Sequence, residues 1–464
     1  GRLLPKLVAR PQLAMAVVVG GLVITIGSQT GFKQQFLPDF QETDFLMHWV
    51  EKPGTSIDAM ERITTRVSKE LRAIPGVRNF GSHIGRAEVA DEVVGPNFTE
   101  LWISLDAVVD YQTSVQRIQQ VIAGYPGLYR DVLTYLRERI KEVLSGAGAT
   151  IAVRIFGPDQ GELRASAERV RTALAAIPGV ADLKVEQQVL VPQIQIRPRS
   201  ADLALFGLTA GEVRRQAQTL IAGQKLGEIY REQKSFDVAL WGVPAIRGDI
   251  GSIAELGIQT PTGMSLRLRD VADVIVVPTP NEIRRENGQR RIDVTLNLRD
   301  ADLGRIGRDV EAALAGVPFA SGYFPTVLGE YVALKAARQR LLLTSTLCLV
   351  GMLVLVWSEF RALRMTALFA ASLPFALLGG VIGVALSGGV LSLGSLVGFV
   401  TVVGISARNG IMLLAHYQHL EHEEGEAFGP ALILRGASER LIPILMTAAC
   451  AGLALVPLIV TGNA

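Results

Sequence analysis

Apolar residues along this chain are distributed in two ways, and the two belong to different solvents. A bilayer core of about 30 Å asks for roughly 20 apolar residues in a helix. Residues 11–32 and 341–357 are uncharged windows of about that length, and residues 365–407 contain no charged side chain at all, enough for two spans turned at Ser387-Gly388-Gly389. A last window, 441–464, follows a polar stretch over 416–440. Five spans are therefore expected. Residues 33–340, between the first and second spans, lie outside the bilayer.

In that insert the apolar pattern is shorter and periodic. Residues 66–77 (RVSKELRAIPGV) are echoed by 169–180 (RVRTALAAIPGV) and more weakly by 309–318 (DVEAALAGVP). Each copy carries apolar residues at helical spacing and ends at a proline, which cannot continue a helix. Strand-like alternation flanks them at 45–50, 101–105, 151–156, 189–196 and 292–298. Strand, helix, strand units predict α+β sandwiches of the split βαβ, ferredoxin-like kind. Residues 200–287 break the pattern, with a helix expected near 210–222 and strands at 236–241 and 271–277, and read as an inserted subdomain.

Basic residues set the orientation. Arg2, Lys6 and Arg10 precede the first span, and Arg361 and Arg364 follow the second. With both groups cytoplasmic, the insert is extracytoplasmic.

Composition narrows the function classes. Half of the 464 residues are hydrophobic (49%), the mean hydropathy is +0.32 and the net charge is +2. Basic and acidic residues are interspersed, so nucleic acid is excluded as a partner. Cys348 and Cys450 both lie in apolar stretches and build neither a disulfide framework nor a zinc finger. No phosphate-cradling loop and no nucleophile elbow is present, which removes ATP-driven transport and serine hydrolysis. The chain starts without Met at Gly1 and ends directly after an apolar segment, and reads as a fragment.

One span, a large insert of split βαβ units, then a cluster of spans: the order resembles one half-repeat of a resistance-nodulation-division (RND) permease, and fits the second, C-terminal half. GISARNGI at 404–411 and RLIPILMT at 440–447 resemble that family's tenth and eleventh helices. RENGQRR at 285–291, RDADLG at 299–304 and ARQRL at 337–341 resemble its heavy-metal efflux branch. The resemblance implies a first transmembrane segment over 1–36, a porter subdomain over 37–148, and a second over 149–199 and 289–335. A docking subdomain falls at 200–288, and four transmembrane helices at 336–464. It implies a homotrimer in the bacterial inner membrane, with a periplasmic adaptor protein and an outer-membrane channel as partners. No cofactor is implied.

An ionisable side chain inside an apolar helix normally faces a partner or a water path. Arg408 is such a residue, and the resemblance places it in a proton relay with Asn409, Arg440 and Thr447. Arg stays protonated at any working pH, so its role would be to stabilise carboxylates that carry the proton. The alternatives are an Arg408 that snorkels to the cytoplasmic surface, an interfacial Arg440, and a Thr447 bonded to its own helix backbone. For a metal substrate the candidates are Met47, His48 and Met264, with Met60, because thioethers suit Cu(I) and imidazole suits Zn(II). Copper exporters of the family carry a Met just before Leu144-Ser145, where this chain has Val143. Core or cleft-wall roles are the alternative for Met47 and His48. His416, His419 and His422 read as a solvated helix end.

The expected function is proton-driven efflux of toxic solutes, with heavy-metal cations favoured over drugs or amphiphiles, and no enzymatic reaction. A non-exporting accessory or translocation subunit of the same architecture is the alternative.

Overall fold

A computed structural model describes residues 4–28, 31–37, 42–52, 54–86, 94–106, 110–125, 129–130, 133–186, 188, 190–280, 282–299 and 302–461. Arg2, Asp300, Ala301 and the end of the last apolar window, 462–464, lie outside them. The chain forms two compact units, Gly1–Glu186 with Arg284–Ala464, and Gln187–Ile283.

In the first unit, helix α1 (Pro11–Ser28) leads to a sheet of β1 (Asp44–Val50), β2 (Val77–Ile84) and β3 (Phe98–Leu105), ordered β2-β3-β1 and antiparallel. Between β1 and β2 runs α2 (Ile57–Arg72). Ser56 caps its start, and Met60, Thr64, Val67 and Leu71 recur on one buried face. Gly76, at φ +92°, makes the turn into β2 that a side chain would resist. Helices α3 (Tyr111–Ala123) and α4 (Tyr135–Ser145) follow β3. Strand alternation divides β1 cleanly: Phe45, Met47 and Trp49 enter the core shared with Val67, Leu71 and Ile118, while His48 points to the other face, towards α4.

The same logic builds the second sheet. It is formed by β4 (Ile151–Phe156), β5 (Val180–Val185), β6 (Gln289–Leu298) and β7 (Phe324–Gly329), in the order β5-β6-β4-β7. Its helices α5 (Gln160–Ala175) and α6 (Leu303–Ala315) start at side-chain caps from Asp159 and Asp302. Leu163, Val170 and Leu174 meet Ile306, Val310 and Leu314 over Ile151, Val153 and Ile155.

Four helices follow: α7 (Glu330–Phe360), α8 (Leu363–Leu386), α9 (Leu393–His422) and α10 (Pro430–Thr461). All four contain apolar stretches long enough to cross a membrane. The expected first span is helix α1, Pro11–Ser28. The described apolar core of α1 is Met15–Thr25, and its Gly21 sits against the Phe375 ring of α8. The turn at 387–389 is present, with Gly388 and Gly389 both at positive φ. The polar stretch 416–440 is largely helical. It continues α9 to His422, turns at Gly425 (φ +71°) and resumes as helix at Pro430. Arg435 reaches Glu424 at 2.6 Å and Glu426 at 2.9 Å in the turn, and pairs with Glu439 one turn along its own helix at 2.9 Å.

The second unit has its own core of Leu203, Val213, Ile253, Ile258, Leu268 and Val271. Its longest ladder pairs Leu190–Pro198 with Ala272–Pro280. Helix Ala210–Ile221 starts in a capping box of Thr209 and Glu212. A hairpin of Gln224–Arg231 and Lys234–Leu240 is exposed along both strands. It turns on Glu232 and Gln233, both left-handed, as a two-residue turn of the tight hairpin type requires.

Candidate functional site

The residues expected to form a relay lie on two packed helices. On α9, Val403, Ala407, Ile411 and Leu414 face α7 and α8, packing with Val356, Phe360, Phe369 and Leu373. Arg408 is one position beyond Ala407, about 100° around the helix, and is exposed. Among the described residues it has no carboxylate partner. Asn409 is half-buried beside it.

On α10 the Arg440 Nε is buried without a hydrogen-bond partner. The Thr447 hydroxyl donates to the Pro443 carbonyl at 2.9 Å, as a Thr in an apolar helix commonly does. The described residues thus present four polar side chains on neighbouring helices, with no hydrogen bond joining one to another. The polar ends of these two helices are different: His416 meets Glu439 at 2.7 Å, tying α9 to α10.

The metal candidates separate. Met47 and Met60 are fully buried in the first unit, and Met264 is 48% exposed near the end of a short hairpin in the second. His48 is the one with ionisable neighbours. Its Nε2 lies 3.3 Å from Glu100 and its Nδ1 3.0 Å from Glu138. Glu100 stands opposite both His48 and His83 in the strand register, with the His83 ring at 3.9 Å and Arg139 at 3.9 Å. Burial disfavours the His48 imidazolium, but hydrogen bonds to Glu100 and Glu138, and their charges, outweigh it and push its pKa up to about 10. The hydrogen bond with His48 holds the Glu100 carboxyl below its usual range.

His48 is therefore a cation between two carboxylates, with both ring nitrogens engaged. Among the described residues no group of three His, Cys, Asp or Glu side chains is arranged to hold a metal ion. Sequence reasoning missed Glu100 and Glu138. The available signal was a Glu in the middle of the apolar strand 98–105.

A profile of the AcrB/AcrD/AcrF family matches residues 1–464, the whole chain. The chain belongs to that family of RND permeases. Among its relatives is the cobalt-zinc-cadmium resistance protein CzcA of Cupriavidus metallidurans, 29% identical over 99% of this chain and 45% of its own length. Protein HelA of Legionella pneumophila is 30% identical over 96% of this chain and 44% of its own length. The crystal structure of a heavy metal efflux pump superposes with a TM-score of 0.81 at 25% identity, covering 97% of this chain and 47% of that one. The chain spans about half the length of the relatives it matches. Membership in a transporter family agrees with apolar helices that could span a membrane beside a mixed α/β region.

Proposed function

We propose that this chain is the C-terminal half-repeat of a proton-driven RND exporter in the bacterial inner membrane, with residues 37–335 on the periplasmic side. The observation that carries the mechanism is Arg408, exposed on α9 at the end of a charge-free stretch and without a carboxylate partner among the described residues. A guanidinium there stabilises carboxylates of facing helices while they are ionised and loses that interaction when they take up a proton. Asn409, Arg440 and Thr447 line the same helix pair as the remaining polar members. The two βαβ-based sheets serve as porter subdomains, 37–148 and 149–199 with 289–335, that open and close in response.

The substrate we favour is a divalent heavy-metal cation. The names of the relatives support it. So does the burial of Met47 and Met60, which keeps these two thioethers from reaching a Cu(I) ion in a cleft. The unit at 200–288 is read as the docking subdomain. Its hairpin exposes Leu226 at 61%, Tyr230 at 73% and Phe236 at 51%, apolar surface suited to a neighbouring copy in a homotrimer. An adaptor and an outer-membrane channel complete the path.

The test is proton flux in proteoliposomes containing the permease purified from its native membrane. Flux stimulated by Zn(II) and lost in Arg408→Ala supports the reading. Flux stimulated only by an amphiphilic drug refutes the metal substrate, and none with either refutes the exporter.

A further inference from the structure

Within the first unit, α7, α8 and α9 surround a cavity of about 620 Å³, inside the size range of small-molecule and lipid sites. Its lining is graded. Near the start of α7 the wall carries Gln34 and Arg338, with Ser345 deeper. The rest of the wall is mostly apolar, with Leu349, Met352, Val381, Phe399 and Val400 on it beside the uncharged hydroxyls of Thr25, Thr344 and Thr346.

The α7 residues that line it run from Leu334 to Met352, a rise of about 27 Å at roughly 1.5 Å per residue. Arg338 is exposed, has no carboxylate partner among the described residues, and stands just before the charge-free window that opens at Leu341. That is the level at which basic side chains meet lipid headgroups.

A cation above an apolar slot is the complement of an anionic amphiphile. We infer that the cavity holds an acyl chain of an anionic phospholipid whose phosphate lies at Arg338 and Gln34, a resident lipid and not a transported one. The guanidinium supplies charge-assisted hydrogen bonds to the phosphodiester, and the walls beyond Ser345 bury the chain. A neutral protein helix in the same place would leave Arg338 uncompensated.

Cys348 lines this cavity and Cys450 does not, and both are exposed, so the chain carries its own probe and control. Delipidated protein in detergent is titrated with phosphatidylglycerol or phosphatidylcholine, and the alkylation rate of each cysteine by N-ethylmaleimide is followed by mass spectrometry. Phosphatidylglycerol is expected to protect Cys348 at about fivefold lower concentration than phosphatidylcholine, the preference one basic residue gives at an anionic surface. Cys450 should show no such difference. Arg338→Gln should erase the preference, and Val400→Trp, which fills the slot, should remove protection by either lipid. Equal protection by both lipids, a preference that survives Arg338→Gln, or a Cys348 already unreactive without lipid because protein covers it would each overturn the proposal.

Discussion

His48 shows how far one side chain's role depends on partners distant in sequence. Glu100 and Glu138 lie 52 and 90 positions away, yet both ring nitrogens of His48 reach them. Because the folded pKa is raised to about 10, the stability the imidazolium contributes is complete below its unfolded value, about 6.5. It is lost as pH rises towards 10. The thermal midpoint should therefore fall between pH 6.5 and 10, and in His48→Gln this slope should flatten; a wild-type midpoint constant over that window refutes the pairing. Arg154 is a second cation of this kind, and a buried one, donating to Asp293 at 2.9 and 2.8 Å and to Glu286. Arg154→Leu leaves Asp293 with less compensation and should cost about 3–5 kcal/mol in denaturant unfolding, whereas replacing both residues by Leu should cost much less. Neither cluster was legible in the sequence, since strand register decides which polar residues face one another. Arg408 was legible because it follows a long charge-free stretch of the chain, a property of sequence and not of folding.

Elements were more legible than residues. The repeated helices announce themselves by periodicity and by the Pro-Gly that ends two of them, and α2, α5 and α6 stand where that pattern put them. The start of α10 at Pro430, inside the polar stretch 416–440, did not. His416, His419 and His422 read in the sequence as a solvated helix end, and α9 does run to His422. The return of the chain as helix from Pro430 is held by ion pairs of Arg435 with Glu424 and Glu426 in the turn. Close packing of that helix pair depends on Gly436. A Cβ built there would lie 2.6 Å from the Tyr417 ring, while one at Gly410 would lie 3.3 Å from Phe369. Gly436→Leu should then lower the stability of the detergent-solubilised protein by roughly 1–3 kcal/mol through overpacking. Gly410→Ala should change it little. If the two variants lose equal stability, the contact with Tyr417 does not determine the fit.

At the scale of the molecule, the chain divides at Glu186 and Arg284, and the division follows from where apolar side chains find partners. The second sheet is completed by strands on both sides of the division, β4 and β5 before it and β6 and β7 after it, so residues 187–283 contribute no strand to it. They enclose a core of their own instead. Their two ends run antiparallel as one ladder, Leu190 opposite Pro280 and Pro198 opposite Ala272, so the segment leaves and re-enters at one place. An inserted segment with its own core and adjacent ends meets the conditions for independent folding. Excised as residues 187–283, it should unfold in one cooperative transition by circular dichroism. Val213→Ala and Leu268→Ala, each removing a fully buried side chain, should each lower its midpoint, the larger Leu268 truncation by about 2–5 kcal/mol. A non-cooperative melt of the excised segment would mean that its core needs the rest of the chain, and that the boundary at 186 and 284 is one of packing density and not of folding.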